Sequence, residues 1–586
     1  MATDILVSPI VDLLLGKLGP LAYQQVSLMY GVEKDLEKLR TTLTTIKNGL
    51  LDTEKQQLHS RQVGDWLEKL KDVCYDAEDV FDEFQAEALR RQVLAERGSI
   101  PKKVSNALSW PKSLAFRFNI GHKIKEIRER LDEIAKNQTN FGFKNIVENR
   151  INYIPRQRET HSFVVPSEII GLLQSCNENE ELEKIGLQYL KELLSRSFFQ
   201  DFEEMVGDHV FSFKMHDLMH DLALSIVKNE CAIVDTPDHF ISKKARHLLF
   251  VEDNMIKGGV PSCMSDKYRL RTILFPYNDI NPSQSFVESC ISMFPFLRFL
   301  DLSYGSIVFL PKKLGNLRHL RYLNLANNGK IKKVPNSICK LQSLQTLSLV
   351  RCEELQELPR DMRYLISLRL LEFTTNQKFL PHNGIGCLDS LRTLSIYSCM
   401  NLEYLVEDIS NLKVLRTLVI GSCPNLVSLP NSIKRLSSLE ELYLQDCEKL
   451  NLDWGMGMEE ENTHQDLNGT RPHLRLLVLS KLPKLVELPQ WLLRCSANTL
   501  QLLRIQKCPN LLALPDSLQI LKQLRVWDCP KVASLPQDMH CLTTLEKIEI
   551  EGCPTLSERC QQGSGEDWPQ IAHVPNIRLD GHLIIK

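Results

Sequence analysis

The sequence predicts a multidomain chain, with an antiparallel helical bundle at the front and a leucine-rich-repeat solenoid, an α/β horseshoe, at the back. Three observations carry this prediction. The chain has 586 residues, more than one compact core ordinarily organises. Apolar residues in the first part recur in steps of three and four, which is a helical period. In the second half the pattern Leu-x-x-Leu-x-Leu returns about every 24 residues.

Composition is that of an ordinary globular protein. Hydrophobic residues make up 43% and charged residues 25%, which excludes disorder as a description of the whole chain. The net charge of −2 gives no general attraction to nucleic acid, so no nucleic-acid partner is expected. The 17 cysteines are odd in number and include no Cys-x-x-Cys pair. They therefore indicate reduced thiols in the cytoplasm, with no metal site.

Residues 1–140 are predicted to form a bundle of three or four helices. Two seams carry the heptad spacing, and a further helix is expected at about residues 122–135. The first seam contains Val32, Leu36, Leu39, Leu43, Ile46 and Leu50, and the second contains Val63, Trp66, Leu70, Val73, Ala77, Val80 and Phe84. The second helix also carries an acidic run, whose plain interpretation is a solvated helix face. This run consists of Glu78, Asp79, Asp82 and Glu83.

Residues 236–586 are predicted to be the repeat array. Eleven copies of the pattern start between residues 297 and 545, and LRTILF at 270 is an earlier, degenerate copy. Each copy predicts one strand, whose leucines fill a core shared with its neighbours, and a Leu-Pro or Val-Pro phrase that turns the chain. A longer step holds an acidic insertion at 454–470, which is expected to be an exposed loop.

Seven cysteines occupy the repeat position that turns inward to meet backbone groups. They are interpreted as buried, reduced thiols, in preference to metal or redox chemistry. They are Cys352, Cys399, Cys423, Cys447, Cys508, Cys529 and Cys553.

Strand side chains that do not enter the core are the predicted ligand-binding residues, on the concave side of the array. Aromatic and arginine side chains are typical interface anchors, although each could merely cover its neighbour. The candidates are Phe299, Tyr322, Tyr397, Tyr443, Arg504, Arg525 and Trp527.

Six repeats carry arginine immediately after their first leucine, and equivalent positions of adjacent strands stack. Because the stacked guanidinium groups repel one another, such a column is expected to face an acidic surface. Alternatively, it lies along a solvated rim, where the aliphatic parts of the arginine side chains cover apolar surface. Its members are Arg298, Arg321, Arg369, Arg392, Arg416 and Arg475, with Gln345 interrupting them.

Several segments resemble the plant coiled-coil nucleotide-binding leucine-rich-repeat immune receptors. YDAEDVFDEF at 75–84 resembles the acidic motif of their helical domain, and HSFVVPSEIIG at 161–171 the beginning of their nucleotide-binding module. LEKIGLQYLKELLSRSFFQ at 182–200 and FKMHDLMHDLA at 213–223 resemble their winged-helix part. The resemblance implies a linker and module start at 141–171 and a winged-helix remnant at 172–235.

In that family the module binds ADP or ATP, and the resemblance assigns nucleotide contact to His216 and Asp217. The phosphate-binding pattern Gly-x-x-x-x-Gly-Lys-Ser/Thr is absent from this sequence, and only 43 residues separate Gly171 from Met215. No cofactor and no enzymatic activity are therefore expected. The preferred interpretation of His216 is a residue that caps or packs a helix.

The resemblance implies an intracellular immune receptor, or a truncated relative, that recognises a pathogen effector or a guarded host protein. It also implies docking of Glu78, Asp79, Asp82 and Glu83 on arginines of the repeats, among them Arg369, Arg392 and Arg416. Two alternatives stay open: a decoy or scaffold that pairs with full-length receptors through the bundle, and an ADP/ATP-dependent switch. Membrane contact is expected only through the first helix, as peripheral attachment to the plasma membrane.

Overall fold

The computed structural model of the chain forms two compact units. One contains residues 1–88 and 98–229, and the other contains residues 89–97 and 230–586. The structure describes residues 7–18, 33–56, 60–97, 102–140, 182–204, 210–227, 229–234, 236, 241–251, 260, 264, 269–275, 282–382, 384–452, 472–516 and 518–584.

Within the described residues, the N-terminal bundle contains four helices: α1 Ser8–Lys17, α2 Glu33–Gln56, α3 Arg61–Arg97 and α4 Lys102–Asn140. Polar contacts show that α1 and α2 run antiparallel, and so do α3 and α4: the amide of Val7 before α1 donates to Glu54 near the end of α2, and Glu83 on α3 pairs with Lys123 on α4. Asp12 on α1 pairs with Lys47 on α2 at 2.6 Å, and the indole of Trp66 on α3 donates to the carbonyl oxygen of Ile134 on α4 at 3.0 Å. The predicted bundle is confirmed.

Both predicted seams form the core of this bundle. Every described member is buried or packs against the core, which α1 completes with Val7, Val11 and Leu14. Val32 lies outside the described residues. The predicted third helix at 122–135 is too short, since α4 begins at Lys102. Only the second half of α4 carries a clear apolar period, with Ile120, Ile124, Ile127 and Leu131 buried, so the pattern alone could not locate its start.

A small helix-and-hairpin segment follows in the same unit. It contains α5 Leu182–Ser195, β1 Phe199–Glu204, β2 Val210–Met215 and α6 Asp217–Val227. The strands pair antiparallel, with Phe199 opposite Met215. Helices flanking a two-stranded hairpin are the elements expected of a winged helix. The predicted linker at 141–171 lies outside the described residues.

The second unit is built on one 16-stranded sheet whose strands follow one another in chain order. All are parallel except the last, which is antiparallel to its neighbour. The strands are β3 Cys231–Val234, β4 His247–Phe250, β5 Thr272–Leu274, β6 Phe299–Asp301, β7 Tyr322–Asn324, β8 Thr346–Leu349, β9 Leu370–Phe373, β10 Thr393–Tyr397, β11 Thr417–Gly421, β12 Glu441–Gln445, β13 Leu476–Ser480, β14 Leu502–Gln506, β15 Gln523–Trp527, β16 Lys547–Glu551, β17 Asn576–Leu579 and β18 His582–Ile584.

The first strand of this sheet, Cys231–Val234, lies within the range assigned to the winged-helix remnant. Four short α-helices accompany the sheet: α7 Gln284–Met293, α8 Gln490–Ser496, α9 Pro554–Arg559 and α10 Trp568–Ile571. In seven of the described connections between strands, the chain returns through a short 3-10 helix. These turns are Lys312–Asn316, Asn336–Lys340, Met362–Tyr364, Ile385–Cys387, Glu407–Asn411, Asn431–Arg435 and Gln537–Cys541.

Repeat leucines form the continuous core that the pattern predicts, and the leucines of each copy are buried. Pro311, Pro335 and Pro430 stand directly before 3-10 turns with φ near −67° and extended ψ, so proline sets the direction in which the chain leaves the strand layer. The insertion at 454–470 lies outside the described residues.

The seven predicted cysteines are all buried and reduced. Their thiols make hydrogen bonds with the backbone of neighbouring strands: Cys352 donates to the carbonyl oxygen of Leu325 at 3.3 Å, and Cys399 accepts from the amide of Thr375 at 3.3 Å. Asn328 takes the equivalent place one repeat earlier and donates to Leu302 and Leu325. Burial raises the pKa of the Cys352 thiol to about 12, which keeps it protonated.

Candidate partner-binding face

The strand face is defined here as the set of strand side chains that alternate with the core leucines and point away from the core. Because the strands pair in register, equivalent positions form three columns across the sheet. The seven predicted ligand-binding residues all lie on this face and are all half-buried. The first column holds Phe299 and Tyr322, the second Tyr443, Arg504 and Arg525, and the third Tyr397 and Trp527.

Two of the aromatic candidates form a stacked pair. The rings of Phe299 and Tyr322 lie 3.9 Å apart at their centroids with an interplanar angle of 3°. Burial, followed by the charges of Asp301 and Glu372, raises the pKa of Tyr322 to about 12. The phenol is therefore neutral at physiological pH, and the pair presents a rigid apolar surface with one hydroxyl.

Tyr397 keeps its position because its neighbour has no side chain. A Cβ at Gly421 would lie 2.8 Å from the Cδ1 atom and 2.9 Å from the Cε1 atom of Tyr397. The ring therefore occupies the space above Gly421 on the next strand. The pattern of the repeat does not require glycine here, so this position serves the strand face and not the core.

Tyr443 is held by an acidic neighbour on its own strand. Its hydroxyl donates to Glu441 at 3.4 Å, and the hydroxyl of Thr417 donates to the same carboxylate oxygen at 3.1 Å. Burial and the charge of Glu441 raise the pKa of Tyr443. Ring and carboxylate together make a polar, oriented feature in the middle of the array.

The last three candidates lie on β14 and β15. The guanidinium of Arg504 lies over the ring of Trp527, 4.3 Å from its centroid, and donates to Gln506 at 3.1 Å. Arg525 pairs through Nε with Glu549 on β16 at 3.2 Å, and Lys547 reaches the same carboxylate at 2.8 Å. These side chains are thus positioned by one another, as binding groups need to be.

The acidic residues of the strand face are absent from the sequence-based prediction. Asp301, Glu372, Glu441 and Glu549 stand at strand positions equivalent to those of the predicted aromatic and basic residues. Burial raises the pKa of Glu372, and a hydrogen bond with Ser348 opposes this rise. An inspection of every non-core strand position, and not only of aromatic and arginine residues, would have found them.

The arginine column exists and is longer than predicted. Backbone hydrogen bonds join Arg369 to Arg392 and Arg392 to Arg416 as immediate neighbours, and they extend the column backward to Arg271 and Arg246. Glu440 interrupts the column between Arg416 and Arg475, lying 3.9 Å and 3.8 Å from them. The run of Arg298 and Arg321 lies on the other side of Gln345, as the sequence indicated.

The acidic run on α3 is not a solvated helix face, and that interpretation is wrong. Glu78, Asp79 and Asp82 are only 4%, 2% and 4% exposed. Lys17 on α1 donates to Glu78 at 3.1 Å and to Asp82 at 2.8 Å. Glu83 pairs with Lys123 on α4 at 2.6 Å. These carboxylates therefore join three helices of the bundle, whatever else they contact.

Three protein-family models match the chain. The Rx N-terminal domain matches residues 10–119, the disease resistance protein winged helix domain residues 169–223, and the leucine-rich repeat region residues 279–507. These matches agree with the predicted fold class, which has a helical bundle, a winged-helix segment and leucine-rich repeats. The matched domains are those of plant coiled-coil nucleotide-binding leucine-rich-repeat disease resistance proteins.

Relatives in this family share short parts of their length with the chain. The disease resistance protein RGA4 of Solanum bulbocastanum is 29% identical over 175 residues, covering 30% of this chain and 16% of that protein. A disease resistance protein of Arabidopsis thaliana is 33% identical over 173 residues, covering 28% and 12%. The matched segments therefore span less than a fifth of these resistance proteins. Among solved structures, a leucine-rich-repeat protein of Leptospira interrogans is 19% identical with a TM-score of 0.35, covering 57% of this chain and 90% of that one.

The residues that the family uses at its nucleotide have a structural role in this chain. His216 stands directly before α6, and its Nδ1 accepts from the amide of Leu218 at 3.3 Å. Its own amide donates to the carbonyl oxygen of Phe198, which ties the helix to the hairpin. Asp217 is exposed in the first turn of α6, where its negative charge interacts favourably with the helix dipole. His216 is thus a helix cap in this chain.

Within the described ranges, no helix combines the length and apolarity needed to cross a bilayer.

Proposed function

We propose that this chain is an intracellular plant immune receptor, or a truncated relative, which recognises a pathogen effector or a guarded host protein through the strand face of its repeats. One observation carries the proposal. Aromatic and arginine side chains stand in register across the sheet and are held in place by their neighbours, as Arg504 is by Trp527.

The rigidity of these side chains supports binding. Association costs free energy wherever a side chain must be ordered, about 0.5–1.5 kcal/mol for each long one. The Phe299–Tyr322 stack, the Tyr397 ring above Gly421 and the Arg504–Trp527 pair are ordered before a partner arrives. A partner that contacts them loses little of its binding free energy to ordering this surface.

A cytoplasmic location is part of the proposal. The buried thiols of the repeats are compatible with a reducing compartment, in which unpaired cysteines are usual. Peripheral attachment to the plasma membrane through α1 would require Val7, Val11 and Leu14 to leave the core of the bundle. Contact with a membrane would therefore compete with bundle stability.

A decoy or scaffold is the second candidate. The sequence lacks the phosphate-binding pattern, and the Nδ1 atom of His216 already accepts a backbone amide. A chain that holds a recognition face without the nucleotide switch can bind a ligand, or pair with full-length receptors through its bundle, without signalling. An ADP/ATP-dependent switch remains the least favoured proposal for the same reason.

Transient expression of the full chain in leaf tissue, with and without a matching pathogen, distinguishes the candidates. A receptor triggers localised cell death, whereas a decoy suppresses the cell death caused by a co-expressed full-length receptor. The Trp527→Ala variant should lose either effect. Val486→Ala, an exposed apolar residue in the turn after β13, is the matched control. An unchanged response in Trp527→Ala would contradict recognition by this face.

A further inference from the structure

The strand face of β13, β14 and β15 has a charge pattern that its neighbours do not share. Residues 474–531 contain nine basic and three acidic residues. On one side, residues 439–452 contain four acidic residues and one basic residue, and on the other, residues 545–552 contain three acidic residues and one basic residue. A basic band thus lies between two acidic borders.

The same alternation follows both edges of the strand face. Hydrogen bonds join neighbouring strands at the residues directly before and directly after each strand, so the charges at these flanking positions form two edge columns. In each edge column, basic residues are enclosed by acidic ones. The edge column before the strands is Glu440, Arg475, Gln501, Lys522 and Glu546, and the edge column after them is Asp446, Lys481, Lys507 and Asp528.

Six cations lie on the strand face of the band or along its edges, and three of them pair with acidic residues of the borders. Arg475 lies 3.8 Å from Glu440, Lys481 lies 3.9 Å from Asp446, and Arg525 lies 3.2 Å from Glu549. In the part of the chain that the structure describes, no ion pair is formed by the other three cations, Arg504, Lys507 and Lys522.

The band also offers an apolar floor and an oriented donor. Leu476, Val478 and Leu502 line the strand face between the edge columns. The Arg504 guanidinium lies over the ring of Trp527, and burial, followed by the charge of Arg525, lowers its pKa. An incoming carboxylate would offset that repulsion and could accept from two nitrogens of the guanidinium, the strongest form of this pairing. Arg525 and Glu549 already form a single-contact ion pair on the same face, through Nε.

We propose that this basic band binds an extended segment of the partner protein, with carboxylates at its centre and basic residues at its ends. The inference rests on the proposed function and specifies the chemistry of its ligand. The two borders, on β12 and β16, are four strand spacings apart, or about 19 Å at about 4.8 Å each. An extended chain crosses that distance in about six residues.

The borders favour such a segment over a nucleic acid. Phosphates repeat without interruption along a nucleic acid strand, so a strand crossing the band would place negative charge against Glu440 and Glu441 or against Glu546 and Glu551. A peptide with basic ends would instead pair with these border residues. Charge order, and not net charge, is therefore what the band recognises.

Fluorescence anisotropy of the full chain with two labelled peptides of identical composition tests the proposal. One peptide is Lys-Lys-Glu-Glu-Glu-Glu-Lys-Lys, and the other has the reversed charge order, Glu-Glu-Lys-Lys-Lys-Lys-Glu-Glu. The acid-centred peptide should bind about tenfold more tightly, the equivalent of one charge-assisted hydrogen bond. The Arg504→Glu/Lys522→Glu variant should lose this preference.

Lys484→Glu is the control, because this exposed cation belongs to the same repeats but lies in the turn after β13. It should keep the preference. Equal binding of the two peptides, or tighter binding of an eight-residue thymidine oligonucleotide, would overturn the proposal. If Trp527→Ala abolishes the response in leaf tissue while the two peptides bind equally, the strand face is still the recognition surface, but its ligand is not an acid-centred segment.

Discussion

At the residue scale, one backbone position in most of the repeats requires a conformation that its residue type does not favour. The residue that follows the strand adopts a left-handed conformation in repeat after repeat, with φ of 56° at Arg351, 52° at Ser398 and 53° at Lys507. Its amide continues the ladder, since Lys507 donates to the carbonyl oxygen of Trp527. The ladder fixes this conformation, although a side chain makes it costly.

Replacing Arg351 with glycine should therefore stabilise the repeats. Glycine adopts positive φ without strain, and the relief of this strain exceeds the cost of glycine's larger conformational entropy in the unfolded chain. We therefore expect the free energy of unfolding, measured in urea, to rise by about 0.5–1 kcal/mol. Arg360→Gly is the control, because Arg360 is equally exposed but is not among the residues with positive φ. If Arg351→Gly is less stable than the parent chain, the positive φ of Arg351 is not a source of strain.

Glu372 provides a pH-dependent prediction on the strand face. Burial raises its pKa above the unfolded value of 4.5, so the folded state favours the neutral acid. Its contribution to stability is full below the unfolded pKa and is lost as the pH rises through the folded pKa. Glu372→Gln should therefore raise the unfolding midpoint at pH 7 and leave it nearly unchanged at pH 4. Glu353→Gln, in the exposed turn after β8, should show no such difference between the two pH values.

At the scale of elements, the first helix of the bundle depends on a carboxylate from the second. Glu54 on α2 is buried and accepts from the amides of Val7 and Ser8 at 2.7 and 2.8 Å, and from the Ser8 hydroxyl at 2.9 Å. No side chain from α1 itself caps its start. Since the first amides of a helix have no partner within the helix, Glu54 supplies the partner that local sequence does not.

Glu54→Ala should loosen α1 more than the rest of the bundle. Unsatisfied amides at a buried helix start cost about 1–3 kcal/mol. Hydrogen exchange in residues 9–17 should accelerate by about tenfold or more, while α3 changes little. The control is Glu37→Ala, an exposed glutamate on the same helix. Equal exchange in the two variants would remove Glu54 from this role.

At the scale of the whole molecule, the two units differ in how completely their apolar residues are covered. Leu218 and Leu222 on α6 are 72% and 50% exposed, whereas the core leucines of β10 to β12 are almost completely buried. The winged-helix segment should therefore open before the repeats. Hydrogen exchange in residues 182–227 should reach completion well before that in residues 391–445, and equal protection would contradict this order.

Docking between the acidic run and the arginine column stays a prediction, and a charge reversal on α3 alone would not test it cleanly. Reversing Glu78 would also break its ion pair with Lys17, so a change in the position of the bundle would be ambiguous. Arg369→Glu/Arg392→Glu avoids this problem, since both residues lie on the repeats. Small-angle scattering should show the bundle released in this variant. Arg475→Glu, beyond Glu440 in the column, should leave the scattering unchanged, and identical curves for both variants would contradict docking.

The sequence alone determined the repeat strands, the bundle seams and the inward cysteines of this protein, because each depends on a period that a core imposes on neighbouring residues. It also placed the seven candidate binding residues on one face, since alternation along a strand decides which side chains avoid the core.

Only the tertiary structure decided how those residues are held and what lies among them. The space above Gly421, the Arg504–Trp527 pair and the Glu549 carboxylate join residues that are 23 or 24 positions apart, and no local pattern records such contacts. The same is true of the buried acids on α3: a helical period marks Glu78 and Asp82 as polar, but the lysine that accompanies them comes from α1, 61 and 65 residues away. The sequence shows which residues are charged, whereas the fold decides which of them are buried and which distant residues they pair with.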